Sequence, residues 1–295
     1  MFGLLNINKP VGPTSHDIVS RVRKIVGRRK GKVGHAGTLD PFADGVLVVC
    51  VGPATRLADY VQQQTKGYRA VITLGAVSDT HDITGQITEN PHAAPVNVDE
   101  IHSILKTFVG RIAQIPPAHS ALHVDGKRAY DLARAGHEFD LPAREVNVYQ
   151  VSLVEYDYPS LTINVSCGAG TYIRSLARDI GEKLGVGAYC SGLTRTSIGN
   201  FDISRAINLD NLNPAADLID PIKALDALSE IKVDSDDANR LAMGKMVRLS
   251  TARQDAIPEV AVTDLSGRLI AIAELVDTPN GPTLKPSKVF VQPER

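Results

Sequence analysis

Between residues 66 and 75, Tyr68, Ala70, Ile72 and Leu74 recur at every second position. That is the period of a half-buried strand, and it turns Tyr68 toward an apolar interior. The run from Val46 to Val51 is short, β-branched and bounded by Gly45 and Gly52, which predicts a buried strand. Residues 3–8 alternate and stop at Lys9-Pro10, as an edge strand does. Further strands are predicted over 146–153 and 161–166. Elsewhere the period lengthens to that of a helix. Ile18, Val19, Val22, Ile25 and Val26 form one stripe, with Thr14 or Ser15 as cap and Asp17 in the first turn. Ile101, Ile104, Leu105 and Phe108 form a second stripe over 98–109. Ile173, Leu176, Ala177, Ile180 and Leu184 form a third, behind a glycine turn with Thr171 as cap.

Short helices are expected over 54–64 and near 221–228. Residues 115–121, with two prolines, read as an extended, exposed loop. A strand, an Asp125-Gly126 turn and a basic helical segment with Lys127, Arg128 and Arg134 follow. Beyond residue 231 the texture changes to short alternating runs at 247–249, 259–263 and 269–274 among Gly and Pro turns. The chain is therefore read as α+β, with a large domain over 1–230 and a small β-rich one over 231–295.

Composition narrows the class. With 295 residues, 43% hydrophobic and 22% charged, the chain can bury a full core and is neither disordered nor fibrous. Cys50, Cys167 and Cys190 are far apart and form no CxxC pair, which points away from a disulfide framework or a thiolate zinc site and toward a reducing cytoplasm. No export signal and no run of membrane-spanning length is expected. The net charge of -1 argues against a nonspecific polyanion binder, yet the charge is unevenly spread. Residues 1–60 hold nine Lys/Arg against four Asp/Glu, and residues 201–295 hold eleven against fifteen. Arg21, Arg23, Lys24, Arg28, Arg29, Lys30 and Lys32 lie close together with no acid among them. A solvated helix face normally mixes signs, so this segment is read as a landing strip for a polyanion backbone.

The strip leads into Gly34-His35-Ala36-Gly37-Thr38-Leu39-Asp40-Pro41. The glycines allow sharp turns, and Pro41 drives Asp40 out of helical dihedrals, so one carboxylate sits on a stiff loop. A lone Asp-Pro is often only a turn that caps an amide. The histidine, the glycines and the basic strip favour a chemical role. Gly27 to Lys32 has the wrong glycine spacing for a nucleoside triphosphate loop, and Asp79 to Gly85 lacks EF-hand spacing. Arg174 falls in the first turn of its helix, where the dipole disfavours a cation. An anion must compensate: a surface acid, Asp40, or an RNA phosphate.

In this order, GHAGTLDPFADGVL, KGYRA, DTHDITG, IPPAHSALHVDGKRAY and GTYIRSLARDIG resemble the bacterial tRNA pseudouridine-55 synthases, the TruB family. The resemblance runs from Leu4 to Thr194; the C-terminal part looks like an RNA-binding module of the PUA type. It implies a mixed, largely antiparallel central sheet flanked by helices. The implied activity is cofactor-free and metal-free isomerisation of one uridine in the T-loop of tRNA. By matching positions, Asp40 is the essential acid, Tyr68 stacks on the base and accepts the C5 proton, and Arg174 pairs with Asp40. His35 fills the space left by the flipped nucleotide, Tyr172 and Leu193 wall the pocket, and Asp82 contacts the base. Arg28, Arg29, Lys30 and Lys32 are assigned to the RNA backbone. The expected partner is the tRNA T-stem-loop, met by a monomer with no obligate protein partner and no membrane. Three rivals stand beside this reading. They are a guide-RNA-dependent relative, a non-catalytic RNA-binding protein, and a carboxylate hydrolase using Asp44 as second acid.

Overall fold

The run ending at Val51 is apolar without a break because both of its faces are covered. The structure, a computed structural model, describes residues 1–27, 31–118, 123–124, 127–128, 139, 141–249, 259–279 and 281–292. Its strands in the first domain are β1 (Gly3–Lys9), β2 (Val33–His35), β3 (Asp44–Val51), β4 (Lys66–Leu74), β5 (Ala76–Ser78), β6 (Ile87–Glu89), β7 (Gly110–Gln114), β8 (His123–Val124), β9 (Lys127–Arg128), β10 (Arg144–Asp157), β11 (Ser160–Cys167), β12 (Ala188–Ile198) and β13 (Phe201–Asp202). Among the described residues the main sheet has the order β1-β3-β12-β4-β11-β10-β7, with β2 paired to β3 and β13 to β12. Helices α1 (Ser15–Val26), α2 (Ala58–Gln63), α3 (Val98–Lys106) and α4 (Ile173–Lys183) complete it.

Leu47, Val49 and Val51 pack with Ile18, Val19, Val22 and Val26 of α1. Val46, Val48 and Cys50 pack on the opposite side with Ala54, Leu57 and Val61. A third cluster joins Tyr68, Ala70, Ile72 and Leu74 of β4 to Leu176, Ala177 and Ile180 of α4 and Ile101 and Leu105 of α3. Thr14, not Ser15, caps α1, in a reciprocal pair with Asp17. Ile25 lies at the rim of its stripe and is 45% exposed.

Among the described residues every strand pairing in the main sheet is antiparallel except one. β3 meets β12 in parallel over Asp44 with Thr194 and Gly45 with Arg195. This seam lays the chain that follows the Asp40 loop against a strand that starts 140 or so residues later. Only glycine fits at Gly45: its φ is +103°, and a Cβ there would stand 2.3 Å from the carbonyl oxygen of Arg195.

Several local expectations are corrected. β1 does lie at the end of the sheet, but Leu4 bridges to Ile219 and Ile7 to Ile207, so the strand is covered rather than alternating. Residues 54–64 begin as a 3-10 turn (Gly52–Leu57), since Pro53 stands at its start, before α2 takes over. Near 221–228 only a 3-10 turn (Pro221–Ala224) forms. Lys127 and Arg128 pair as β9 with β8 rather than in a helix. Pro116 and Pro117 are buried, not exposed. Arg28, Arg29, Lys30, Asp125, Gly126 and Arg134 lie outside the described residues.

The second sheet contains β14 (Ser229–Val233), β15 (Val247–Arg248), β16 (Glu259–Asp264), β17 (Leu269–Thr278) and β18 (Gly281–Val289), in the order β14-β16-β17-β18-β15. It starts at residue 229, two before the sequence boundary. Its helix α5 (Ser235–Ala242) escaped sequence reading because only Ala238 and Leu241 of its residues are buried. Pro282 and Pro286 likewise disguise β18. One face packs on α5 through Val260, Val262 and Leu241. The other lays Ala261, Ile272 and Phe290 on Val48, Leu57 and Leu225 of the first domain. The rings of Phe2 and Phe290 stack at 5.5 Å, and the Tyr60 hydroxyl donates to Glu259 at 2.7 Å. Among the described residues no helix is long and apolar enough to cross a membrane.

Candidate active site

The loop between β2 and β3 turns at Asp40-Pro41, where the Ala43 amide donates to the Asp40 carbonyl at 3.1 Å. Three side chains hold its backbone. Ser15 Oγ accepts from the Leu39 amide and donates to the Leu39 carbonyl, each at 2.9 Å. Lys9 Nζ donates to the carbonyls of Ala43 at 2.7 Å and Pro10 at 2.9 Å. The buried Arg195 donates to the carbonyls of Val46 at 2.8 Å and of Thr38 and Gly37 at 3.1 Å. With its backbone fixed on three sides, the loop presents one side chain.

That side chain meets Arg174. Its Nε lies 2.9 Å from Asp40 Oδ2, and its Nη2 is 3.5 Å from Oδ1. The same guanidinium continues to Asp82 Oδ2 at 3.1 Å and the Thr80 carbonyl at 3.3 Å. The side chains of Arg174 and Asp82 are 6% and 4% exposed, whereas Asp40 keeps 33% of its surface open. Asp40 is thus the member of the triad that an outside molecule can reach. Burial pushes its carboxyl above the ordinary carboxylate range; Arg174 opposes the shift most, Asp82 adds to it, and Arg195 and Lys9 oppose it.

Asp82 has protein donors on both oxygens. Beyond Arg174, its Oδ1 accepts from Thr80 Oγ1 at 2.8 Å, the Thr84 amide at 2.9 Å and Thr84 Oγ1 at 2.5 Å. It stands behind Arg174, held by that guanidinium on Oδ2 and by the three donors of Thr80 and Thr84 on Oδ1. Its loop is docked on β12 through His81 and Ile83, whose backbones bond Cys190 at 3.0 and 3.2 Å. His81 takes a left-handed φ of 60° to do so.

Tyr68 stands opposite Arg195 in the β4–β12 register, and Leu193 opposite Ala70. Both are buried in one cluster with Leu39, Phe42 and Ile173. Burial pushes the Tyr68 phenol up, and Arg195 works against that shift. His35 ends β2 half-buried; burial lowers its pKa, with Arg195 and His16 adding to the effect. Its Nδ1 is buried without a hydrogen-bond partner among the described residues. Tyr172, half-buried, is itself the N-cap of α4; the expected cap Thr171 donates to the Gly168 carbonyl instead, at 3.1 Å. Lys32 is exposed at the other end of β2 from His35.

The sheet therefore brings Asp40, Tyr68, Arg174, Asp82 and Leu193 together. Sequence reading gave no part in the site to Lys9, Ser15 or Arg195. One signal was available: Arg195 follows Leu193 at the strand period, which puts a cation on the buried face of β12. A buried cation there needs carbonyls or acids to face it.

An open carboxylate on a braced loop is thus steadied by a buried arginine from the helix that packs on a mixed sheet. The whole chain superposes on a solved Cbf5–Nop10–Gar1 complex with a TM-score of 0.75 and 28% identity, covering 88% of that chain. More narrowly, residues 23–173 match the N-terminal domain of the TruB family of pseudouridylate synthases, and residues 174–230 match the tRNA pseudouridylate synthase B C-terminal domain. The chain is 44% identical over 280 residues to tRNA pseudouridine synthase B of Leifsonia xyli subsp. xyli, covering 92% of each. It is 40% identical over 304 residues to the Syntrophomonas wolfei subsp. wolfei protein of that name, covering 98% of this chain and 99% of the relative. The protein belongs to the TruB family of pseudouridylate synthases, and is an isomerase.

Proposed function

We propose that the protein isomerises the uridine at position 55, in the T-loop of tRNA, to pseudouridine, without a cofactor and with Asp40 as the essential acid. The observation that carries this reading is the 2.9 Å contact between the partly open Asp40 carboxylate and the buried Arg174. The family assignment and the relatives named tRNA pseudouridine synthase B support the substrate.

A uridine in a folded loop must leave its stack before its sugar and base can be attacked, at a cost of a few kcal/mol. His35, neutral because burial lowers its pKa, offers a ring to the space the base vacates. The flipped base enters between Tyr68, Tyr172 and Leu193, where the Tyr68 ring stacks on it. Asp40 acts ionised, held so and aimed by Arg174, as the glycosidic bond breaks and C5 of the turned uracil joins C1'. Tyr68 Oη then takes the proton from C5 as its own hydroxyl proton passes to solvent, and N1 of the turned uracil gains a proton, so the isomerisation balances. Asp82 serves by holding Arg174 in place. Lys32, with Arg28, Arg29 and Lys30, meets the RNA backbone. The chain works as a cytoplasmic monomer, with residues 231–295 as a PUA-like RNA-binding domain.

The experiment incubates the purified chain with a naked T-stem-loop RNA and maps pseudouridine chemically or by mass spectrometry. Product at the equivalent of position 55 is the expected result. Asp40→Asn should abolish it while the RNA Kd stays near that of the parent chain. Product from the Asn variant at the normal maximal rate would overturn the role of Asp40. If the parent chain modifies the RNA only with a guide RNA or protein partners, the stand-alone reading fails.

A further inference from the structure

Helix α4 carries Arg174 in its first turn, and its N-cap residue Tyr172 makes no side-chain capping hydrogen bond. The first turn of a helix leaves orphan amides, and its position is normally set by a Ser, Thr, Asp or Asn at that site. Here a residue 58 positions earlier intervenes. Gln114, the last residue of β7, is 1% exposed. Its Oε1 accepts from the Tyr172 amide at 2.8 Å, and its Nε2 donates to the Tyr172 carbonyl at 3.0 Å. That same carbonyl accepts the helix's first internal bond, from the Leu176 amide at 3.0 Å. The carboxamide thus pairs with Tyr172 as a neighbouring strand would, satisfying both backbone groups where the chain bends into the helix. The next residue reinforces the joint: the Ile115 carbonyl accepts from Ser175 Oγ at 2.8 Å.

We propose that Gln114 is a positioning residue for the isomerisation: its carboxamide fixes Tyr172 and the first turn of α4, and so aims the Arg174 guanidinium at Asp40. The inference rests on the functional reading above. It adds a residue that touches neither RNA nor the reacting atoms. An amide is required because one group must both accept and donate. An ionised carboxylate would face the Tyr172 carbonyl with like charge, and a thioether would withdraw the acceptor from the Tyr172 amide and leave the carbonyl only its bond from Leu176.

The test compares Gln114→Met and Gln114→Glu with the parent chain, measuring single-turnover rates at saturating enzyme on the T-stem-loop RNA, together with its Kd. Gln114→Met should keep the Kd within about twofold and lose about tenfold or more in rate, since misplacement of a catalytic group costs chemistry rather than binding. Gln114→Glu separates aiming from packing. Between pH 8.5 and 6 its rate, divided by that of the parent at each pH, should rise as the buried carboxyl gains a proton and recovers a donor. The same ratio for Gln114→Met should stay flat. Charged residues on the same and adjoining elements are Arg111 on β7, Arg174, Arg178, Asp179, Glu182 and Lys183 on α4, and Glu145, Glu155, Asp157 and Arg144 on β10, the last opposite Gln114; all are present in both variants. A parental rate in Gln114→Met, or a pH-flat ratio in Gln114→Glu, overturns the proposal; if the Met variant fails to fold, the Glu variant decides alone. Amide hydrogen exchange over 172–176 reports independently of turnover: opening confined to this turn in the variants supports the clamp, and unchanged protection overturns it. An inactive parent chain would instead defeat the functional reading, leaving the exchange measurement to judge Gln114.

Discussion

Arg174 reaches Asp40 and Asp82 with the two sides of one guanidinium, Nε to the first at 2.9 Å and Nη1 to the second at 3.1 Å. The buried acid holds the arginine, and the arginine holds the open acid. A lysine carries the same charge on a single nitrogen and cannot span both acids and the Thr80 carbonyl. Arg174→Lys should therefore lower the single-turnover rate by about 10²-fold with little change in RNA affinity. Rapid-quench kinetics and a binding titration check this.

The same triad sets an acid limit on activity. In the proposed reaction Asp40 acts ionised, and burial raises its pKa, so the rate should fall as pH drops through a value above the ordinary carboxylate range. The Asp82 charge adds to that rise. In Asp82→Asn the acid limb of the pH–rate profile should move to lower pH, although the rate plateau drops because Arg174 loses its anchor. A limb that moves upward contradicts this electrostatic account.

Ser15 exchanges two hydrogen bonds with the Leu39 backbone, one residue before Asp40. Ser15→Ala leaves a buried amide and carbonyl without that partner, which costs about 1–3 kcal/mol. Denaturant unfolding should show that loss. Turnover should fall as well, because Leu39 precedes the acid directly.

Gly45 permits the parallel seam between β3 and β12. With a φ of +103° and the Arg195 carbonyl 2.3 Å from a would-be Cβ, Gly45→Ala should cost about 3 kcal/mol or more. Thermal unfolding should show it, whereas Gly12→Ala, where a Cβ meets nothing within 4 Å, pays only for its backbone conformation.

His81 is held neutral, with its pKa lowered to about 4, chiefly by burial and then by Arg178 and Arg174. A histidine protonated more readily in the unfolded chain contributes stability that is present above pH 6.5 and lost as pH falls toward 4. His81→Asn removes that sensitivity and suits the left-handed backbone better. The variant should match or exceed the parent Tm at pH 7, and the difference should widen in its favour at pH 5.

Sequence alone settled those features in which a local pattern has one physical solution. The period-two run 68–74 had to be a strand with Tyr68 inward, and the stripe from Ile173 to Leu184 had to be a helix with one buried face. Glycines and Pro41 made the Asp40 loop stiff. The dipole argument showed that Arg174 required an anion without saying which. Tertiary structure made that choice, because β12 lies between β3 and β4 and α4 packs over them, placing Arg174 between Asp40 and Asp82. It also set Asp82 against Arg174, and gave Lys9, Ser15, Gln114 and Arg195 their partners. Those partners are mostly backbone carbonyls and amides, and a carbonyl has no letter in a sequence. Only the folded chain brings a distant backbone within hydrogen-bonding distance of a buried polar side chain, and desolvation then makes each such bond obligatory.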